Sequence, residues 1–462
     1  MSAEITTAAR TYARAEASAQ GLDESRGSAL AASLGLPILA AILYLNLSDV
    51  VARRTPIPSL LQPLILLLAI AVIVHRDRFQ PRAIAASALA LLALVYCVVL
   101  VAGTSWSENP AAADAKVLEG VRGLIILLIA GSLGSTWTAV RRAVAVIALG
   151  AALLAALTLF QGVTGRFDLD FFGLARSERG HIFARVSDIR ASGPIGDPNF
   201  YGQILVMAFP LAAFFGWNAA RRRDRVVFLT AAALIAAGTA LTYSRGSLLA
   251  LAIAGAMTVV VLRVRLMHVF ALLLLAAVLA PSNLTQRFLS LGGTEGVVQG
   301  IERDSSVDRR KLDAAVALRM FDEHPLVGVG TGAFSHHYVR YANEVGSSAR
   351  QYGLLNANQA AHSLYLELAA ETGLAGLIAF GTMMAAAFAM LLDARRKLVA
   401  RGLPGYAAIT AALFIALTGY LVSSIFLHGA FQRYLWLLLG LSAAVTRLAS
   451  RESAASGPPE SA

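Results

Sequence analysis

Apolar residues in this chain come in blocks. Twelve stretches are nearly free of charge: Leu30 to Leu47, Pro58 to Val74, Ala83 to Ala102, Gly123 to Trp137, Ala143 to Phe160, Tyr201 to Trp217, Val226 to Leu241, Leu248 to Leu262, Leu266 to Ala280, Leu364 to Leu392, Ala407 to Phe426 and Leu435 to Val445. A helix of about 20 such residues, rising 1.5 Å per residue, crosses a hydrocarbon core of roughly 30 Å. The pattern predicts an all-α, polytopic membrane protein with about 12 transmembrane helices, and Arg263 and Arg265 leave room only for a tight turn between the eighth and ninth. Most intervening segments are short. Two are long, Gln161 to Asn199 and Pro281 to Ala361, and loops of that length are usually functional or disordered.

Composition removes the soluble alternative. Apolar residues make up 57% of the 462 and charged ones 15%, against roughly 25% charged in soluble domains. Orientation follows from arginine, which short cytoplasmic loops retain. Arg76, Arg78 and Arg82, Arg141 and Arg142, Arg221 to Arg225, Arg263 and Arg265, and Arg395 to Arg401 fall on one side if twelve spans alternate. Arg10, Arg14, Arg26, Arg447 and Arg451 join them, so both termini are expected in the cytoplasm, with Arg53 and Arg54 as the exception. The net charge of +11 is this topological signal and calls for no nucleic acid. No cleavable signal peptide is expected in the polar stretch from Met1 to Arg26, and Cys97, the single cysteine, excludes disulfides within the chain and thiolate metal sites. Residues 1–28 read as a cytoplasmic tail, 29–448 as the membrane domain including a periplasmic loop at 282–361, and 449–462 as a disordered cytoplasmic tail.

Candidate chemistry gathers in the outer segments. Arg190 to Gln203, RASGPIGDPNFYGQ, opens the sixth span, and its Asp197-Pro198 pair is a turn or helix-start signal. Arg190 and Asn199 would then lie near a helix N-terminus, where anions are favoured. In LTYSRGSLL, Tyr243 and Arg245 occupy a turn too short to leave the bilayer surface. A charge at that depth is costly, and a guanidinium fork matches phosphate oxygens. Within Ser305 to Phe334, Ser305 is placed to cap a helix with an apolar stripe at Leu312, Val316 and Met320, while Arg309, Arg310 and Arg319 populate its other faces. GVGTGAF, with glycines at 328, 330 and 332, lacks the strand and helix of a nucleotide loop and reads as a tight turn. AHSLYLELAAETGLAG opens the tenth span: His362 can accept a hydroxyl proton, or serve as an interfacial anchor. Glu367 and Glu371 stack on one face, to orient His362, pair with a cation or brace helices.

In this order, Arg190 with SGxxxDPN, then SRG, then HPLVGVGTGAF, then HSLYLE with ETGLAG, the chain resembles the O-antigen ligases and Wzy-type polysaccharide polymerases over roughly residues 185 to 440. The resemblance implies a GT-C-like membrane glycosyltransferase of the bacterial inner membrane with its active site facing the periplasm. Such an enzyme transfers glycan from an undecaprenyl diphosphate donor to an acceptor glycan or lipid A core by inversion, without a metal or other cofactor. It also implies Arg190 and Arg245 as the diphosphate-binding pair and His362 as the group that deprotonates or orients the acceptor hydroxyl. Arg309, Arg310, Arg319, Asn199, Tyr243 and Glu367 are the further substrate-binding candidates, with Arg309 and Arg310 not separable as the additional loop arginine. The partners expected are that donor, its acceptor and membrane lipids. A polymerase is the alternative within the family. A flippase of lipid-linked oligosaccharides is the alternative outside it, disfavoured because the spans are nearly bare of charge at their centres.

Overall fold

The computed structural model describes residues 26–57, 59–183, 186–264, 305–346, 359–429 and 433–455. The apolar blocks form α1 (Arg26–Tyr44), α2 (Leu47–Arg54), α3 (Leu61–Val74), α4 (Ala88–Gly103), α5 (Pro110–Leu133) and α6 (Trp137–Thr164). A hairpin, β1 (Ser177–Phe183) with β2 (Val186–Ala191), precedes α7 (Pro198–Trp217), α8 (Arg222–Leu241) and α9 (Arg245–Leu262). Beyond residue 304 come α10 (Ser305–Glu323), α11 (Phe334–Val345), α12 (Leu364–Ala400), α13 (Pro404–Ser423) and α14 (Arg433–Ala455).

This is a multi-pass, essentially all-helical membrane protein, with fewer clear spans than twelve. Seven described helices are long and apolar enough to cross a bilayer, or eight if the α1–α2 pair, bent by 58°, is one span. The shortfall has physical causes. α3 has only 14 residues. α5 carries Asp114, Lys116, Glu119 and Arg122 between its start and its middle, and α14 carries Arg447, Arg451 and Glu452 in its second half. The span expected over Leu266 to Ala280 lies outside the described residues. α14 also stays helical to Ala455, past the boundary at 448 where a disordered tail is expected. The hairpin is a departure from the all-α expectation: it pairs Glu178 with Arg190, so Arg190 lies on a strand ahead of α7.

Helix ends collect at two faces. At one, Arg447 of α14 donates to the carbonyls of Phe79 (2.8 Å) and Gly131 (3.1 Å), and Trp137 at the start of α6 stacks on Tyr406 at the start of α13, with centroids 4.1 Å apart. At the other, Ser107 donates to the Thr331 carbonyl (2.9 Å), the Leu364 N–H to the Ser424 carbonyl (3.0 Å), and Asn46 lies against the loop before α7. Small residues let the helices close up. A Cβ on Gly123 would lie 2.2 Å from the Trp436 indole, and one on Gly202 would lie 2.4 Å from Ser247 Oγ.

A second, smaller core sits at the second face. α10 buries Val316 and Met320, with Leu312 packed beside them, against Phe334, Tyr338 and Tyr341 of α11 and Ala370 of α12. α12 breaks at Gly373 (φ 60°, ψ −154°), and the chain from His324 to Thr331 fills the break. Leu374 and Ala375 N–H donate to the carbonyls of Pro325 and Leu326, while Val329 and Gly330 N–H donate to those of Ala370 and Glu371. Gly328 takes φ +68° because a Cβ there would collide with the Glu371 carbonyl carbon at 2.3 Å. HPLVGVGTG and ETGLAG are thus two halves of one structure.

Candidate functional site

The loop from Ser192 to Asp197 brings the first arginine into place. Asp197 Oδ1 accepts from the N–H groups of Asn199 and Phe200 at 2.7 and 3.0 Å, capping α7. The Arg190 guanidinium then spans two helices, donating from Nε to the Thr242 carbonyl at the end of α8 (2.9 Å) and from an Nη to Asn199 Oδ1 at the start of α7 (3.1 Å). Burial lowers its pKa from the ordinary arginine value, Arg310 adds to this, and Asp197 and Glu178 oppose it. An arginine guanidinium is not deprotonated in proteins, so it stays a cation.

Tyr243 turns the chain between α8 and α9 with φ 49°, a left-handed conformation, and is buried. Ser244 caps α9 and Arg245 is its first residue, three positions beyond the carbonyl that Arg190 holds. Ser247 Oγ donates to the Asn199 carbonyl at 3.3 Å, so the starts of α7 and α9 lie side by side. The SRG turn and the DPN cap, distant in sequence, are neighbours.

His362 approaches from α12. It precedes the helix with φ 47°, and its ring meets the His428 ring edge to face with centroids 5.6 Å apart. His428 in turn packs against Phe200 of α7, centroids 5.4 Å apart. Burial pushes the His362 imidazole down to about 4, reinforced by His428, Arg310 and Arg309 and opposed by Asp197. It is therefore neutral at physiological pH, able to accept a hydrogen bond from a hydroxyl. Arg309 donates to Gln359, three residues before His362, which anchors α10 over the site.

The structure thus brings Arg190, Asn199, Tyr243, Arg245, Arg309, Arg310 and His362 to one face of the bundle. Two of the expected residues are engaged elsewhere. Arg319 pairs with Glu323 (3.1 Å), one turn further along α10, and with Glu344 of α11 (3.4 Å), which ties the two helices together. Glu367 does not face a ligand: it accepts from Lys116 Nζ (2.6 Å) and from the Gly429 N–H (2.7 Å). Glu371 completes this brace, accepting from Lys116 (2.7 Å) and from the N–H groups of Gly332 (2.9 Å) and Phe334 (3.3 Å). The glycine-rich segment therefore wraps a carboxylate of its own chain.

Sequence reasoning passed over His428, Lys116 and Glu178. Lys116 carried a usable signal, a lysine about two turns ahead of an apolar run, available to an i, i+4 glutamate pair that needed a cation. His428 carried none, since a lone histidine between spans is unremarkable until the fold sets it beside another.

The motif order and this geometry meet in one comparison. Residues 230–381 match the O-Antigen ligase family model. The match covers about a third of the chain and includes Arg245, Arg309, Arg310 and His362, while Arg190 and His428 lie outside it. Among curated proteins none matches the chain. Three of the four motifs thus lie in the matched segment, which takes in part of α8, α9 to α11 and the first half of α12.

Proposed function

We propose that this protein is an O-antigen ligase-like glycosyltransferase of the bacterial inner membrane, transferring glycan from undecaprenyl diphosphate to an acceptor such as lipid A core at the periplasmic face. The observation that carries this reading is the convergence of half-buried, cationic Arg190 with neutral His362, Arg309 and Arg310 at the helix mouths. The opposite face bears Arg141, Arg142, Arg221, Arg447 and Arg451, the distribution expected of a cytoplasmic side. A polyprenyl donor would approach from the bilayer and present its diphosphate to Arg190 and Arg245.

As the glycosidic bond breaks, negative charge grows on the diphosphate, and preorganised guanidinium groups stabilise it without reorganising. The acceptor hydroxyl attacks the anomeric carbon from the opposite side, giving inversion, and its proton passes to or is oriented by His362. The bond made is acceptor oxygen to anomeric carbon, the bond broken is anomeric carbon to diphosphate oxygen, and undecaprenyl diphosphate leaves. A free-enzyme pKa of about 4 makes His362 a weak base, but a bound diphosphate beside it would raise that value. Arg309 and Arg310 would help to neutralise the donor.

The test is transfer in proteoliposomes with a lipid-linked donor. Arg190→Ala and Arg245→Ala should each lower turnover by about 100-fold or more, the loss seen when an oxyanion donor is removed. Wild-type rates in both variants would remove this mechanism.

A further inference from the structure

The face opposite His362 holds a cavity of about 520 Å³ between the starts of α6, α8 and α13 and the end of α7. Arg141, Arg142 and Arg221 line it with a single carboxylate, Asp224, so its lining carries a net charge of about two positive. Arg142 and Arg221 make no ion pair with another described residue, and both are exposed. Its inner wall is apolar: Phe214 is buried, and the Phe215 and Phe228 rings meet with centroids 5.2 Å apart. One cavity therefore offers guanidinium groups at its rim and aromatic surface beneath them.

Its depth in the bilayer is marked independently. Trp217, the last residue of α7, is 43% exposed beside this cavity, and exposed tryptophans at helix ends sit at the headgroup level. The Arg190–His362 site is far away: α7 and α8 are 20 residues each, about 30 Å, and their other ends form it. Apolar side chains of α8, including Val226, Val227 and Leu229, are exposed just below the rim, as expected of a lipid-facing surface.

We propose that this cavity binds an anionic phospholipid, its phosphodiester headgroup held by Arg142, Arg221 and Arg141 and its acyl chains laid along Phe215, Phe228 and the exposed face of α8. Basic pockets between transmembrane helices on the arginine-rich side are suited to such headgroups. The headgroup phosphate supplies a counter-charge to Arg142 and Arg221, and the aromatic wall explains why a lipid is favoured over free phosphate. This site is independent of the glycan-transfer reading, since it lies in the other leaflet and needs no substrate.

The experiment is native mass spectrometry of the full chain, extracted from nanodiscs holding equal phosphatidylglycerol and phosphatidylethanolamine. The wild-type protein should retain phosphatidylglycerol preferentially. Arg142→Gln with Arg221→Gln should weaken that retention about thirtyfold, from roughly fivefold per basic residue near the surface. Arg395→Gln with Arg396→Gln, on the same face but outside the cavity, should leave it within about twofold. Ala145→Leu, which narrows the cavity with every charge kept, should also weaken retention. Equal losses in the two arginine pairs, or full retention in Ala145→Leu, would overturn the assignment in favour of diffuse surface charge. Inorganic phosphate binding the lipid-free protein, with the same loss in Arg142→Gln/Arg221→Gln, would overturn it in favour of a soluble anion. Lipid retention is read without any glycan, so a negative result leaves the transfer reading where it stood.

Discussion

Lys116→Met offers the most direct test of how this site is built. Lys116 Nζ lies 2.6 Å from Glu367 Oε1 and 2.7 Å from Glu371 Oε2, with the two carboxylate side chains only 10% and 6% exposed. Methionine keeps much of the stem volume and removes the charge, leaving two carboxylates stacked one turn apart with no cation between them. Breaking a buried ion pair from one side costs about 3–5 kcal/mol, because the orphaned charge stays buried. Uptake of a proton by one carboxyl limits the loss, and the three backbone N–H donors, from Gly332, Phe334 and Gly429, still satisfy part of each carboxylate. The lower end, about 3 kcal/mol, is therefore the better expectation, which at about 2 °C per kcal/mol for a large chain is about 6 °C. Thermal unfolding of the detergent-solubilised protein, followed by tryptophan fluorescence, measures it. Adding Glu371→Gln to Lys116→Met should cost less than the sum of the two single changes, because the second relieves the repulsion that the first exposes. A Lys116→Met protein melting within about 1 °C of wild type, or strict additivity in the double variant, would refute the view that these three side chains act as one buried unit.

Three further outcomes follow from the same structure. Burial holds His362 at about 4, below its unfolded value near 6.5, so its neutral form stabilises the fold fully above pH 6.5 and that stability is lost as pH falls toward 4. Accordingly the acid limb of kcat/KM, which reports the free enzyme, should lie well below pH 6, while that of kcat moves upward because the donor diphosphate raises the imidazole pKa; a kcat/KM limb at 6.5 counts against the assignment. Arg190→Lys should transfer glycan almost as poorly as Arg190→Ala, since an ammonium cannot reach both the Thr242 carbonyl and Asn199 Oδ1; wild-type turnover would show that charge alone suffices. Gly332→Ala, at φ +74° with a Cβ 2.7 Å from the Ala112 carbonyl carbon, should destabilise by about 2 kcal/mol or more. Gly255→Ala, in open space within α9, should be neutral or stabilise by up to about 1 kcal/mol, and thermal unfolding of the pair separates strain from simple loss of glycine.

Much of this protein is legible from local pattern. Apolar blocks long enough to satisfy their own backbone hydrogen bonds become helices wherever they are placed, so the membrane-embedded, helical character needed no tertiary information. Arg190, Arg245 and His362 stand out as candidates because charge or imidazole at a span mouth is costly unless used. What the blocks could not reveal is how a helix treats its own ends. α5 begins among charges and is completed by them, since Lys116 meets Glu367 and Glu371 only after α12 is laid against α4 and α5. A run of hydropathy over Gly123 to Trp137 therefore saw half a helix.

Tertiary structure alone decided which polar groups meet. Arg319 and Arg309 look equivalent along α10, yet one faces Glu323 and Glu344 while the other reaches Gln359 beside His362. Glu367 and Glu371 share the same spacing with any cation, and the partner proved to be a lysine some 250 positions away. His428 acquired significance only through Phe200 and His362. Hydrophobic burial acts locally and without direction, so it can be read residue by residue. Hydrogen bonds and ion pairs depend on distance and angle between groups far apart in the chain, and those exist only once the helices have packed.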